Sequence, residues 1–159
     1  MNAVSMMLTQ PISEKNTQLY DRDFFKWIET TANLLRSQRF GEIDLENLIE
    51  EIESMGRSEK NALESNLEVL LMHLLKYKYQ PQKISNSWKY TIREHRLRII
   101  KSLKSSPSLK IYFLEIFAAC YKNARDLAAD ESGLEIMTFP ESSPFTPEET
   151  IDSNFLPQS

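Results

Sequence analysis

The sequence predicts an all-α fold, an antiparallel four-helix bundle with one long helix and a short C-terminal helical turn. Three observations carry this. Only three glycines occur in 159 residues, too few for a turn-rich β sandwich. Apolar residues recur at helical spacing through most of the chain, and no segment reads as a strand. The segment from Asp44 to Tyr77 keeps that spacing in phase along its whole length.

The elements follow in order. Residues 1–18 read as a flexible leader, 19–156 as a single helical domain and 157–159 as a tail. Asp21 or Asp23 caps a first helix over roughly 21–39. Its face is Phe24, Ile28, Thr31 and Leu35, with Trp27 and Leu34 beside them, and Phe40-Gly41 ends it. Asp44 caps the second helix, about 44–77, with Asn47 standing where a capping box has Glu or Gln. Leu45, Leu48, Ile49, Ile52, Met55, Leu63, Leu67, Leu70, Leu71 and Leu74 form one stripe. Gly56 followed by Ser58 could stop one helix and cap another. The unbroken phase argues for a single helix, roughly 50 Å long.

Gln80-Pro81 ends that helix, because the residue before proline avoids the α region. Ser85 or Asn86 caps a third helix to about Ser105, with the stripe Trp88, Ile92, His95, Ile99 and Leu103. Ser106-Pro107 reads as a cap followed by proline at the first helical position. The fourth helix then runs to about Glu131, where Gly133 ends it. It is apolar nearly all round, which suits a central place in a bundle or a contact with a second subunit. Thr146-Pro147-Glu148-Glu149 starts a short helical turn, and Phe145, Ile151 and Phe155 indicate a tail that packs down.

Composition narrows the class. Hydrophobic residues make up 41% and charged residues 26%, the balance of a soluble globular domain. The single cysteine, Cys120, excludes an internal disulfide and reads as a small buried hydrophobe. No apolar run reaches the ~20 residues that span a membrane, and the N-terminus lacks the pattern of a secretory signal. These features predict a cytoplasmic protein with no membrane contact.

Charge is segregated within a net −4. Nine acids face two bases between Glu42 and Glu68, nine bases face one acid between Lys76 and Lys104, and eight acids face no base between Asp126 and Asp152. A basic centre with acidic flanks binds an anion or is neutralised by its neighbours.

Three polar residues interrupt the long stripe at intervals of seven, Glu59, Asn66 and His73, so they share one edge of the helix. In an antiparallel hairpin Trp88 meets the level of His73, His95 and Arg96 that of Asn66, and Ser102 that of Glu59. The set Glu59, Asn66, His73 and His95 is a polar seam that fixes helix register or holds a metal or small ligand. Against metal, no Glu-x-x-His motif occurs, and Glu50 and His73 stand roughly 34 Å apart along an unbroken helix. No metal ligand set and no cofactor is assigned. Nucleophilic catalysis finds no elbow serine and no base near Cys120, so the catalytic residues stay unknown and the balance leans away from an enzyme. Lys89, Arg93, Arg96, Arg98 and Lys101 on the third helix form the candidate nucleic-acid surface, with the acidic pI against it.

The chain also resembles a known family, domain of unknown function 29. The likeness covers about Leu19 to Leu156 and rests on YDRDFFKWIETTANLLR, IDLENLIEEIESMGRSEKNALESNLEVLLMHLLK, SWKYTIREHRLRI, SPSLK and PFTPEETIDSNFLP, in that order. The resemblance implies an all-helical fold and a cyanobacterial setting, and it carries over no activity and no catalytic residue. The leading expectation is a non-enzymatic interaction or oligomerisation module that self-associates or binds a protein partner through the fourth helix or the protruding part of the second. Nucleic-acid binding is the first alternative, and a metal or small-ligand site around Glu59, His73 and His95 the second.

Overall fold

The computed structural model describes residues 10–158, with side chains from Asn16 onward. Among these residues the protein is all-helical: α1 (Gln10–Arg22), α2 (Phe24–Arg36), α3 (Leu45–Tyr79), α4 (Asn86–Ser105), α5 (Leu109–Ser132) and α6 (Pro147–Ile151). Single 3₁₀ turns at Phe40–Glu42, Pro81–Lys83 and Ile136–Thr138 join or follow them. Contacts gather the chain into two compact units, Met1–Arg57 and Ser58–Ser159.

In the first unit, helix reaches back to Gln10, where the sequence predicts a leader to residue 18; residues 1–9 of that leader lie outside the described residues. Asp23 separates α1 from α2: its backbone leaves the helical region and its carboxylate accepts from Lys26 N–H at 3.0 Å, satisfying an orphan donor of the first turn. The end of α2 differs from expectation. Phe40-Gly41 does not stop it; Gln38, at φ 58°, does. Arg39 N–H bonds Leu34 C=O and Gln38 N–H bonds Leu35 C=O, the paired closure of a Schellman motif with glutamine in the usual glycine place. The left-handed backbone costs Gln38 about 1–2 kcal/mol, which is why sequence logic looks for glycine.

Trp27 forms the centre of this unit. It is buried, stacks on Phe24 with centroids 5.7 Å apart and meets Tyr20 edge-on at 5.0 Å. Its indole N–H donates to Asp44 Oδ2 at 3.2 Å, and Asn47 Nδ2 donates to the same oxygen at 2.7 Å. Asn47 therefore binds the Asp44 carboxylate, while Asp44 C=O accepts from Leu48 N–H at 3.1 Å.

Helix α3 is continuous through Gly56, so the stop-and-restart alternative at Gly56 and Ser58 is not taken. Its second half builds the core of the second unit. Leu63, Leu67, Leu70, Leu71, Leu74 and Leu75 are fully buried with Ile92 and Ile99 of α4 and Phe113, Phe117, Tyr121 and Ala124 of α5. Cross-helix pairs give the directions. Asn66 meets His95 and Lys76 meets Trp88, so α3 and α4 run antiparallel. Glu64 meets Tyr112, Glu68 meets Asn123 and Lys76 meets Glu131, so α5 runs back parallel to α3.

Ser85 caps α4, accepting from Trp88 N–H at 3.2 Å. Helix α5 begins at Leu109, later than the Ser106-Pro107 signal predicts. Leu109 N–H bonds Ser106 C=O and Lys110 N–H bonds Pro107 C=O, a tight turn of i to i+3 bonds in place of the first α turn. Gly133, at φ 70°, closes α5 as expected. Beyond it Phe139 and Phe145 are buried, and Ile151 and Phe155 pack on the core. Thr146 and Glu149 form a complete capping box at the start of α6. Tyr121 Oη donates to Pro140 C=O, Arg125 Nε to Phe139 C=O and Arg96 Nε to Thr150 C=O. Helices α4 and α5 thus hold the tail by its carbonyls.

Candidate functional site

The second unit places the expected polar residues unequally. Asn66 and His95 come together, with 2.8 Å between Oδ1 and Nδ1. Asn66 Nδ2 also donates to Ala62 C=O at 2.8 Å. His73 sits 2.9 Å from the carbonyl of Val69 on its own helix. Glu59 joins neither; it is exposed. Burial pushes both imidazoles below their ordinary pKa, against the carbonyl of Val69 at His73 and assisted by Arg98 at His95. Among the described residues no group of three or more histidine, cysteine or acidic side chains is gathered for a metal ion.

One turn beyond His73 stands a cation the sequence did not flag. Lys76 is only 4% exposed, donates to Glu131 at 2.7 Å and lies 4.4 Å from the centre of the Trp88 ring. Trp88 is therefore half-buried under a lysine rather than a core residue. A lysine in the last turns of an amphipathic helix ordinarily snorkels to solvent, and nothing local marks this one as enclosed.

The five basic residues of the candidate nucleic-acid surface also separate. Lys89, Arg93, Arg98 and Lys101 are exposed, and Arg98 pairs with Glu94 one turn before it at 2.5 Å. Arg96 is only 3% exposed, which removes it from the expected surface set. It falls on the buried face with Ile92 and Ile99, three residues from one and four from the other. Desolvation lowers its pKa, and the charge of Asp152 acts against that. Its Nη2 has no hydrogen-bond partner among the described residues. Lys89, Arg93 and Arg96 line a cleft of about 520 Å³ with Ser153, Asn154 and Leu156 of the tail.

Cys120 is buried, and burial, then the carboxylates of Glu68 and Glu64, push its thiol up to about 12. The protonated thiol is a packing group at neutral pH.

The first unit carries a different feature. Leu45, Ile49, Ile52 and Met55 of α3 follow one another at helical spacing and are 59%, 47%, 60% and 68% exposed. Phe25 and Phe40 of the same unit are exposed as well. Among the described residues no helix is long and apolar enough to cross a membrane.

The family model for Domain of unknown function DUF29 matches residues 19–156. No curated protein and no solved structure matches the chain. With that model spanning most of the chain and an all-helical fold beneath it, the protein belongs to the DUF29 family.

Proposed function

We propose that the protein is a non-enzymatic interaction module of the cytoplasm, built on an antiparallel four-helix bundle, that self-associates through the N-terminal half of α3. One observation carries this: Leu45, Ile49, Ile52 and Met55 lie along one helix face and are exposed. Single exposed apolar residues are ordinary; a row of four at helical spacing is the pattern of a helix that docks on another. The up, down, up order of α3, α4 and α5 supports the bundle. The protonated Cys120 thiol is not poised as a nucleophile, which agrees with this reading. Sedimentation velocity across a concentration series tests the proposal. A concentration-dependent dimer that Ile49→Ser with Ile52→Ser abolishes is the expected result. A monomer at every concentration overturns self-association and turns the face over to a partner protein.

A second reading, nucleic-acid binding by α4, is favoured by the exposure of Lys89, Arg93, Arg98 and Lys101 along one helix. Binding to a single-stranded oligonucleotide that weakens steeply with salt is its expected signature, and no binding at low salt ends it.

A further inference from the structure

We infer that the cleft between α4 and the C-terminal segment is a binding site for a small phosphate monoester carrying an apolar group. Lys89, Arg93 and Arg96 stand at i, i+4 and i+7 of α4, one face of the helix, and all three line the cleft. None of the lining residues is acidic. Of the acids nearest in sequence, Glu94 pairs with Arg98, and Asp152, whose charge reaches Arg96, lies outside the lining and accepts from Asn154 N–H at 2.9 Å.

Arg96 makes the arrangement more than a basic surface. Enclosing a guanidinium costs free energy unless its donors are met. One donor is met: Nε bonds Thr150 C=O at 2.9 Å. Nη2 is buried and has no partner among the described residues. The charge of Arg96 therefore stands incompletely compensated beneath the cleft it lines, and an oxyanion there gains from it while making charge-assisted bonds, the stronger kind, to Lys89 and Arg93. Across the cleft Ser153 and Asn154 add polar side chains. Ile92, Leu97 and Leu156 supply apolar wall, and the volume falls within the range of small-molecule sites. Three cations suit a dianion, and the apolar wall suits an organic substituent rather than bare phosphate. A polymer would meet a continuous exposed row, whereas here the cation with the unmet donor is the one removed from the surface.

Titration calorimetry of the full chain with phenyl phosphate, inorganic phosphate and benzoate tests the site. Saturable binding of phenyl phosphate, tighter than that of inorganic phosphate or benzoate, is expected. Arg93→Met and Lys89→Met each weaken it roughly tenfold while circular dichroism and the unfolding midpoint without ligand stay unchanged. Asn154→Ala, on the opposite wall, weakens it without touching a cation. Absence of saturable binding at millimolar phenyl phosphate overturns the assignment. So does an equal loss from Arg98→Met or Lys101→Met, outside the cleft. A single-stranded oligonucleotide that binds more tightly than phenyl phosphate and depends on Lys101 assigns the helix to nucleic acid instead and likewise overturns it. Each of these outcomes is independent of the self-association face, which lies in the other unit.

Discussion

The two halves of α3 carry the same apolar stripe and meet opposite fates. From Leu63 to Leu75 the stripe is fully buried, while Leu45, Ile49, Ile52 and Met55 stand in solvent. Periodicity therefore says which side of a helix seeks cover, not what provides it. The buried half is covered by Ile92, Ile99, Phe113 and Phe117 from the two helices that follow. The exposed half has leucine, isoleucine and methionine of the same character, and the proposed self-association would give it the cover that the first half lacks.

Substitutions at matched positions sharpen or break this contrast. Leu70→Ala is expected to cost about 2–5 kcal/mol, the range for a leucine cavity in a packed core, and Ile52→Ala to change monomer stability by less than about 0.5 kcal/mol. Urea unfolding of dilute protein measures both, and equal losses would erase the distinction between the halves. Next in size, Ile49→Ser with Ile52→Ser is expected to weaken dimerisation by roughly tenfold or more, read by sedimentation, with the dilute unfolding midpoint unmoved. Gly56 lies within the helix near the boundary of the halves, and nothing approaches within 4 Å of where its Cβ would stand. Gly56→Ala is expected to add about 0.5–1 kcal/mol; a lower melting temperature would show that the helix needs to bend there.

The pH response also divides the halves, since both histidines belong to the second unit. Their folded pKa values lie below the ordinary 6.5 because burial disfavours the imidazolium. As pH falls through 6.5 the unfolded chain takes up protons first, so stability declines from there until the folded values are passed. Melting at about pH 7.5 and about pH 5.5 is expected to show a drop that His73→Gln with His95→Gln reduces. An unchanged drop in the double variant would place its origin in the carboxylates.

Much of this was legible from the chain. The cap at Ser85, the stop at Gly133, the capping box at Thr146 and the meeting of Asn66 with His95 all follow from local chemistry or simple register. What escaped was set by tertiary surroundings. Gln38 adopts a conformation that sequence logic reserves for glycine, and its two closing bonds hold it there. Lys76 and Arg96 look like solvent-facing bases until the tail and Glu131 are seen against them. Trp88 falls on an apolar stripe yet takes a cation on its ring. The basic cleft depends on Ser153 and Asn154, more than fifty residues beyond Lys89, Arg93 and Arg96, a juxtaposition no spacing rule can reach.

The state of Cys120 has a practical consequence. A thiol that is enclosed and protonated resists alkylation until the structure around it opens. Being the chain's one cysteine, it makes the rate of iodoacetamide labelling a single-site clock for opening of the second unit. Read with and without phenyl phosphate, that clock would register occupancy of the cleft as a slower tick, with no need for an assay of what the protein does.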